Sequence, residues 1–153
     1  MALAIRPEES AADRAFINGL NQRLVEVTEA PAHSKSDVAN FQPHYTKTVW
    51  KENSQKIATL IALNENGDRL GFVKLRDTED EITFERCGYI ALLAVTEEAE
   101  GEGVAQALIK SAEKLARKMG FKRLCLDVFA SNHRGQRFYE KMDFKPETIR
   151  VIK

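Results

Sequence analysis

Residues 100–105 read Glu-Gly-Glu-Gly-Val-Ala and stand between an apolar run and an amphipathic one. A glycine loop that opens a helix is a common way to hold a phosphate. Helix N-termini leave unpaired N–H groups, and the aligned peptide dipoles place roughly half a positive charge there. Gly101 and Gly103 would let backbone approach an anion with no Cβ in the way. Yet Glu97, Glu98, Glu100 and Glu102 crowd the loop, and no Lys or Arg lies among them. Taken alone, Gly-x-Gly more often marks a tight strand-to-helix connection. If an anion is held here, backbone N–H groups must do the holding.

Metal or disulfide chemistry finds less support. His33, His44 and His133 are scattered, and two cysteines, Cys87 and Cys125, make no disulfide framework. Both cysteines lie in apolar runs and read as small core residues. His133 reads as an exposed residue at a helix start.

The surrounding elements follow from periodicity. Leu3–Pro7 reads as a short strand, and Ala12, Phe16, Leu20 and Leu24 step by four along an amphipathic helix. Residues 28–45 carry Pro31 and Pro43 and read as loop and short helix, with a helix again over His44–Gln55. Lys56–Leu63, Arg69–Arg76 and Glu81–Val95 predict an antiparallel meander, turned at Asn66-Gly67 and at residues 77–80. Val104, Leu108, Ala112, Leu115 and Met119 then fall at helical spacing, closed by Gly120 as a C-cap. Glu113 and Arg117 form an i,i+4 pair on that helix. Lys122–Phe129 reads as a strand. A helix capped by Ser131 or Asn132 follows, and Glu147–Lys153 reads as a closing strand.

The chain has 153 residues, 43% hydrophobic and 30% charged, as expected of one folded domain spanning 1–153. Lys plus Arg and Asp plus Glu are both 23, so the basic excess of a general nucleic-acid binder is missing. No run approaches the ~20 apolar residues that span a bilayer. The expectations are a cytoplasmic protein with neither nucleic acid nor membrane as partner.

Residues Leu92–Phe144 resemble the GNAT N-acetyltransferase superfamily. The apolar strand end Leu93-Ala94-Val95, the loop Glu100–Ala105, the helix after it, Asn132, and Phe138-Tyr139-Glu140-Lys141-Met142-Asp143-Phe144 match the family's spaced elements in order. The resemblance implies an α/β (α+β) fold: a mixed, mainly antiparallel sheet of six to seven strands flanked by about four helices. It also implies acetyl-CoA as cosubstrate, with no metal. In the family the pantetheine arm runs along the strand matching Leu93, Ala94 and Val95. The pyrophosphate rests on the loop matching Glu100, Gly101, Glu102, Gly103, Val104 and Ala105. Asn132 matches a cofactor contact, and Phe138 packs near it. Two positions depart from the pattern: Glu100 replaces an Arg or Gln, and Asp143 replaces a glycine that Asp can mimic in the left-handed region. Arg134, Arg137 and Lys141 are candidate cations for the adenosine-phosphate end.

On this resemblance Tyr139 matches the acid that protonates the departing thiolate. Glu85, upstream of the cofactor strand, is a candidate base acting directly or through water. The N-terminal half would shape the acceptor pocket, with Phe41, His44, Tyr45 and Trp50 as candidate lining. The expected reaction is direct acetyl transfer to a primary amine, on a small molecule or on a peptide or protein, by a chain that has room to be a homodimer. A competing reading is a non-catalytic acyl-CoA-binding or regulatory module whose pyrophosphate site Glu100 weakens. An unrelated nucleotide-binding domain would need a Walker lysine or a full Gly-x-Gly-x-x-Gly, and neither is present.

Overall fold

The computed structural model describes residues 2–20, 30, 32–51 and 58–153, with only the backbone at 42, 43 and 46–51. Its elements run β1 (Ala4–Pro7), α1 (Ala11–Gly19), α2 (Lys35–Lys51), β2 (Ala58–Leu63), β3 (Arg69–Glu79), β4 (Arg86–Val95), α3 (Val104–Lys118), β5 (Leu124–Leu126) and α4 (His133–Lys141). A single 3₁₀ turn, Glu97–Ala99, joins β4 to the glycine loop.

The five strands form one sheet in the order β1-β2-β3-β4-β5. Neighbours are antiparallel except β4 and β5, which are parallel. Alternation along the strands divides the core in two. On one face Leu60, Ala62, Val73, Leu75 and Ile90 meet Val104, Leu108, Ile109 and Ala112 of α3. On the other, Ile61, Phe72, Leu92 and Ala94 meet Ile17 and Leu20, with Tyr45 of α2 packed against them. Ile90 and Leu92 would share a face in a regular strand, and they do not. The β3–β4 register slips between Lys74 and Leu75, so that Lys74 faces Leu92 and Leu75 faces Ile90, leaving Ala91 as an extra residue. That bulge bends β4 and reverses its alternation.

Local chemistry fixes the elements around it. Ser10 Oγ accepts from the Asp13 N–H at 3.1 Å and caps α1. Gly120 takes φ 89° at the end of α3, as its C-cap position requires. Asn132 Oδ1 accepts from the Gly135 N–H at 2.9 Å and starts α4. Asp143 stands at φ 69°, the left-handed region expected of it.

Four expectations need correction. Among the described residues the sheet has five strands, where six to seven were expected. Residues 147–153 form no strand, and Ile149, Val151 and Ile152 are exposed; an extended segment without a neighbouring ladder is no strand. Residues 35–45, expected as loop and short helix, belong to one helix, Lys35–Lys51, that runs through Pro43 and includes the start of the helix expected from His44. The β3–β4 turn comes later than residues 77–80, because Asp80 organises it: its Oδ1 accepts from the N–H groups of Ile82 and Thr83 at 2.8 and 3.0 Å. The expected helix over residues 21–27 lies outside the described residues.

Candidate active site

β4 and β5 begin as partners and then part. Gly88 pairs with Leu124, Tyr89 with Cys125 and Ile90 with Leu126, and there the ladder ends. The bulge at Ala91 falls at that point. Among the described residues the edge of β4 from Ala91 to Ala94, which includes Leu93 and leads to Val95, pairs with no strand on the β5 side. A fork of this kind leaves an extended main-chain edge beside a wedge-shaped gap.

The glycine loop stands at the far end of that edge. Gly101 and Gly103 take φ of 77° and 80°, conformations that L side chains rarely adopt. A Cβ at either would meet open space, so the backbone conformation, not crowding, calls for glycine. Among the described residues the N–H groups of Gly101, Gly103, Val104 and Ala105 donate no hydrogen bond, whereas the Glu100 and Glu102 N–H groups are turned back onto the 3₁₀ turn. The result is a cluster of unsatisfied donors at the positive end of α3, open to an anion.

Glu97, Glu98 and Glu102 are exposed, and Glu100 is not left to oppose an anion alone. Arg134 Nη1 lies 3.0 Å from Glu100 Oε1, tying the first turn of α4 to the loop. Arg137 and Lys141, one and two turns further along α4, are exposed and make no ion pair among the described residues. Phe138 and Tyr139 of α4 pack against the α3-side core, with ring centroids 5.2 Å apart, and Phe144 closes on Tyr139 at 5.9 Å. Burial pushes the Tyr139 phenol up to about 12, so it is a neutral donor at ordinary pH. Asn132 spends its oxygen on capping α4.

The structure therefore gathers the β4 edge, the loop and α4 around one wedge. It does not bring Glu85 there. Glu85 is exposed in the β3–β4 turn, with its carboxylate 3.5 Å from Arg123. At about 3.3 Å per residue, it lies some 20 Å along β4 from the bulge. It belongs to the end of the strand opposite the fork.

A different carboxylate stands at the fork. Asp127 directly follows the last β5 pair, and its Oδ2 accepts from the Tyr89 hydroxyl at 2.6 Å. Arg76 lies over the Tyr89 ring at 5.0 Å. Burial first, and the bond to Asp127 second, raise the Tyr89 pKa far above the ordinary phenol range. Two of the expected acceptor-pocket residues are nearby: Phe41 stacks on Tyr45 at 5.5 Å and meets Phe129 edge-on at 6.0 Å. His44 is exposed on α2, and the side chain of Trp50 lies outside the described residues. The sequence signal for Asp127 was an acidic residue ending an apolar strand, which is weak without its partner 38 positions upstream.

Cys87 and Cys125 are free thiols, with Sγ atoms 3.7 Å apart between β4 and β5. Among the described residues no group of three or more His, Cys, Asp or Glu could hold a metal, and no helix is long and apolar enough to cross a membrane.

Comparison with known proteins agrees with this geometry. A protein of Bacillus subtilis (strain 168) called uncharacterized N-acetyltransferase YdgE is 31% identical over 90 residues, 59% of this chain; the match spans 56%, little more than half, of that relative's length. A second protein of the same organism, whose name proposes it as a ribosomal protein bS18 alanine N-acetyltransferase, is 34% identical over 74% of this chain and 73% of its own length. The structure of a protein of Pyrococcus furiosus proposed to be an acetyltransferase shares the fold with a TM-score of 0.81 at 22% identity, covering 99% of both chains. The model of the acetyltransferase (GNAT) family matches residues 18–144, and the chain belongs to that family.

Proposed function

We propose that the chain transfers the acetyl group of acetyl-CoA directly to a primary amine. The observation that carries this reading is the fork at Ile90/Leu126, which opens a main-chain edge leading to the unsatisfied N–H groups of Gly101, Gly103, Val104 and Ala105. A pantetheine arm needs an extended partner for its amides, and a pyrophosphate needs convergent donors. Both lie in line here. Leu93, Ala94 and Val95 would pair with the arm. Gly101, Gly103, Val104 and Ala105 would hold the pyrophosphate, while Glu100 and Glu102, whose N–H groups are spent on the 3₁₀ turn, would shape the loop. Asn132 and Phe138 would flank the arm, and Arg134, Arg137 and Lys141 would face the adenosine phosphates. Residues 92–144 thus form the cofactor half, and the N-terminal half forms the acceptor side of one domain.

The chemistry then needs few groups. The acceptor ammonium loses a proton, and its nitrogen attacks the thioester carbon. The C–N bond forms and the C–S bond breaks as the nitrogen sheds a second proton to become an amide N–H. Main-chain N–H groups beside the bulge would stabilise the oxyanion. Tyr139, neutral and half-buried, would give its proton to the leaving sulfur and regain one from water. In sum one proton is released with each N-acetyl product. Glu85 would have no direct part, given its distance along β4.

The test is calorimetry with acetyl-CoA followed by free-thiol release across a broad panel of amines. Binding with thiol release is expected. Binding without release from any amine would favour an acyl-CoA-binding module, and no binding would overturn both readings.

A further inference from the structure

Beyond Ile90 and Leu126 β4 and β5 part, and residues from both faces of the sheet lie beside that point. Tyr139 and the loop belong to the α3 face. Tyr89 precedes the bulge and points opposite to Ile90, toward α2, and Leu126 packs on the α3 side while Asp127 follows on the other. Asp127 therefore stands on the α2 face at the point where the ladder ends.

We propose that Asp127 receives the acceptor's ammonium group, that Tyr89 is the positioning residue that holds this carboxylate, and that Phe41, Tyr45 and Phe129 form an aromatic rim around it. The acceptor class is a cationic primary amine with no carboxylate beside it. This inference rests on the acetyltransferase reading above.

Three observations carry it. Asp127 is exposed, yet one of its oxygens is fixed by a 2.6 Å bond, so the other can accept from a ligand without losing its place. Tyr89 is itself anchored, with Arg76 over its ring and Tyr45 beside its hydroxyl. Phe41 and Phe129 are each 39% exposed, although they touch one another at 6.0 Å; they come from distant elements and leave aromatic surface facing solvent next to a carboxylate. Aromatic faces and an anion both attract an ammonium, and the rim accommodates the carbon attached to it. A free amino acid would bring its own carboxylate within two bonds of the amine and be repelled. A peptide N-terminus, whose first carboxyl is an amide, or an alkyl amine would not. These two sources share the chemistry that Asp127 reads.

The experiment measures acetyl-CoA affinity by calorimetry and acceptor kinetics by thiol release, using alanine, an alanyl peptide and 1,4-diaminobutane. The peptide or the diamine should exceed alanine in kcat/KM by at least about tenfold, and which of the two does so names the source. Asp127→Asn should raise the acceptor KM by about 10- to 100-fold and leave acetyl-CoA affinity intact. Tyr89→Phe should raise KM less, and Asp127→Glu should restore part of the loss. Equal turnover of alanine, or an unchanged acceptor KM in Asp127→Asn, would overturn the inference while leaving the acetyltransferase reading standing. Thiol release from no amine would overturn both.

Discussion

Tyr139 can act as an acid only while it keeps its proton, and burial pushes its pKa up to about 12. The expected consequence is an activity with no alkaline limb from this group below about pH 11. Tyr139→Phe keeps the ring contacts with Phe138 and Phe144 and loses only the hydroxyl. Single-turnover acetyl transfer should fall by about 10²- to 10⁴-fold, with acetyl-CoA affinity nearly unchanged, because the proton matters in the transition state. A Phe variant with the wild-type single-turnover rate would reduce Tyr139 to packing. The packing of Tyr139 against Phe138 and Phe144 was legible in the sequence because the three sit in one dense motif. The bond from Tyr89 to Asp127 was not, because a hydrogen bond between strands leaves no mark in either local sequence. Glu85 was favoured as a carboxylate upstream of the cofactor strand, and order along the chain does not give distance from the fork.

At the scale of elements, one buried carboxylate ties three of them together. Asp13 of α1 has no exposure, and it accepts from Arg6 of β1 at 2.7 and 3.1 Å, Arg69 of β3 at 2.7 Å and the Glu9 N–H at 2.9 Å. Its pKa lies far below the usual carboxylate range, chiefly through the bond from Arg6 against the opposing effect of burial, with Arg69 and the Glu9 N–H adding to it. A depressed folded pKa means stability that is complete above the unfolded Asp value of about 3.9 and is lost as pH falls below it. Asp13→Asn should cost about 2–4 kcal/mol at pH 7, less than a fully buried pair because both arginines are partly exposed. It should also flatten the loss of stability below pH 4. Denaturant unfolding of both proteins at pH 7 and pH 3 checks this; parallel acid slopes would show that the clamp is not what acid breaks. Apolar periodicity announced α1 and β3, but not this clamp, which joins residues 56 positions apart. The bulge at Ala91 was equally hidden, because an extra residue in an unbroken apolar run changes no pattern that a single sequence displays.

Across the whole molecule the gap beyond the fork has two sides, β4 and α3 with the glycine loop, and β5 and α4 with the basic helix face. Glu100 and Arg134 join them at 3.0 Å. The pair is partly solvated, with 31% of the Glu100 side chain and 72% of that of Arg134 exposed, so it adds little to stability. Its larger effect would be on charge. Held by Glu100, Arg134 is a neutralised cation beside the N–H groups that would take a pyrophosphate. Glu100→Gln removes one negative charge and releases Arg134 toward the phosphates. Acetyl-CoA should then bind about 3- to 10-fold more tightly at low ionic strength, an electrostatic effect at a screened surface. The gain should shrink in 1 M salt, where the screening length falls to about 3 Å. Glu100→Arg should go further in the same direction, because it adds a cation where the family commonly carries one. Calorimetric titration of the three proteins at two salt concentrations decides it. Weaker binding by the Gln variant would mean that the pair serves the site by fixing α4 against the loop, so that the wedge keeps its width only while Glu100 and Arg134 hold its walls together.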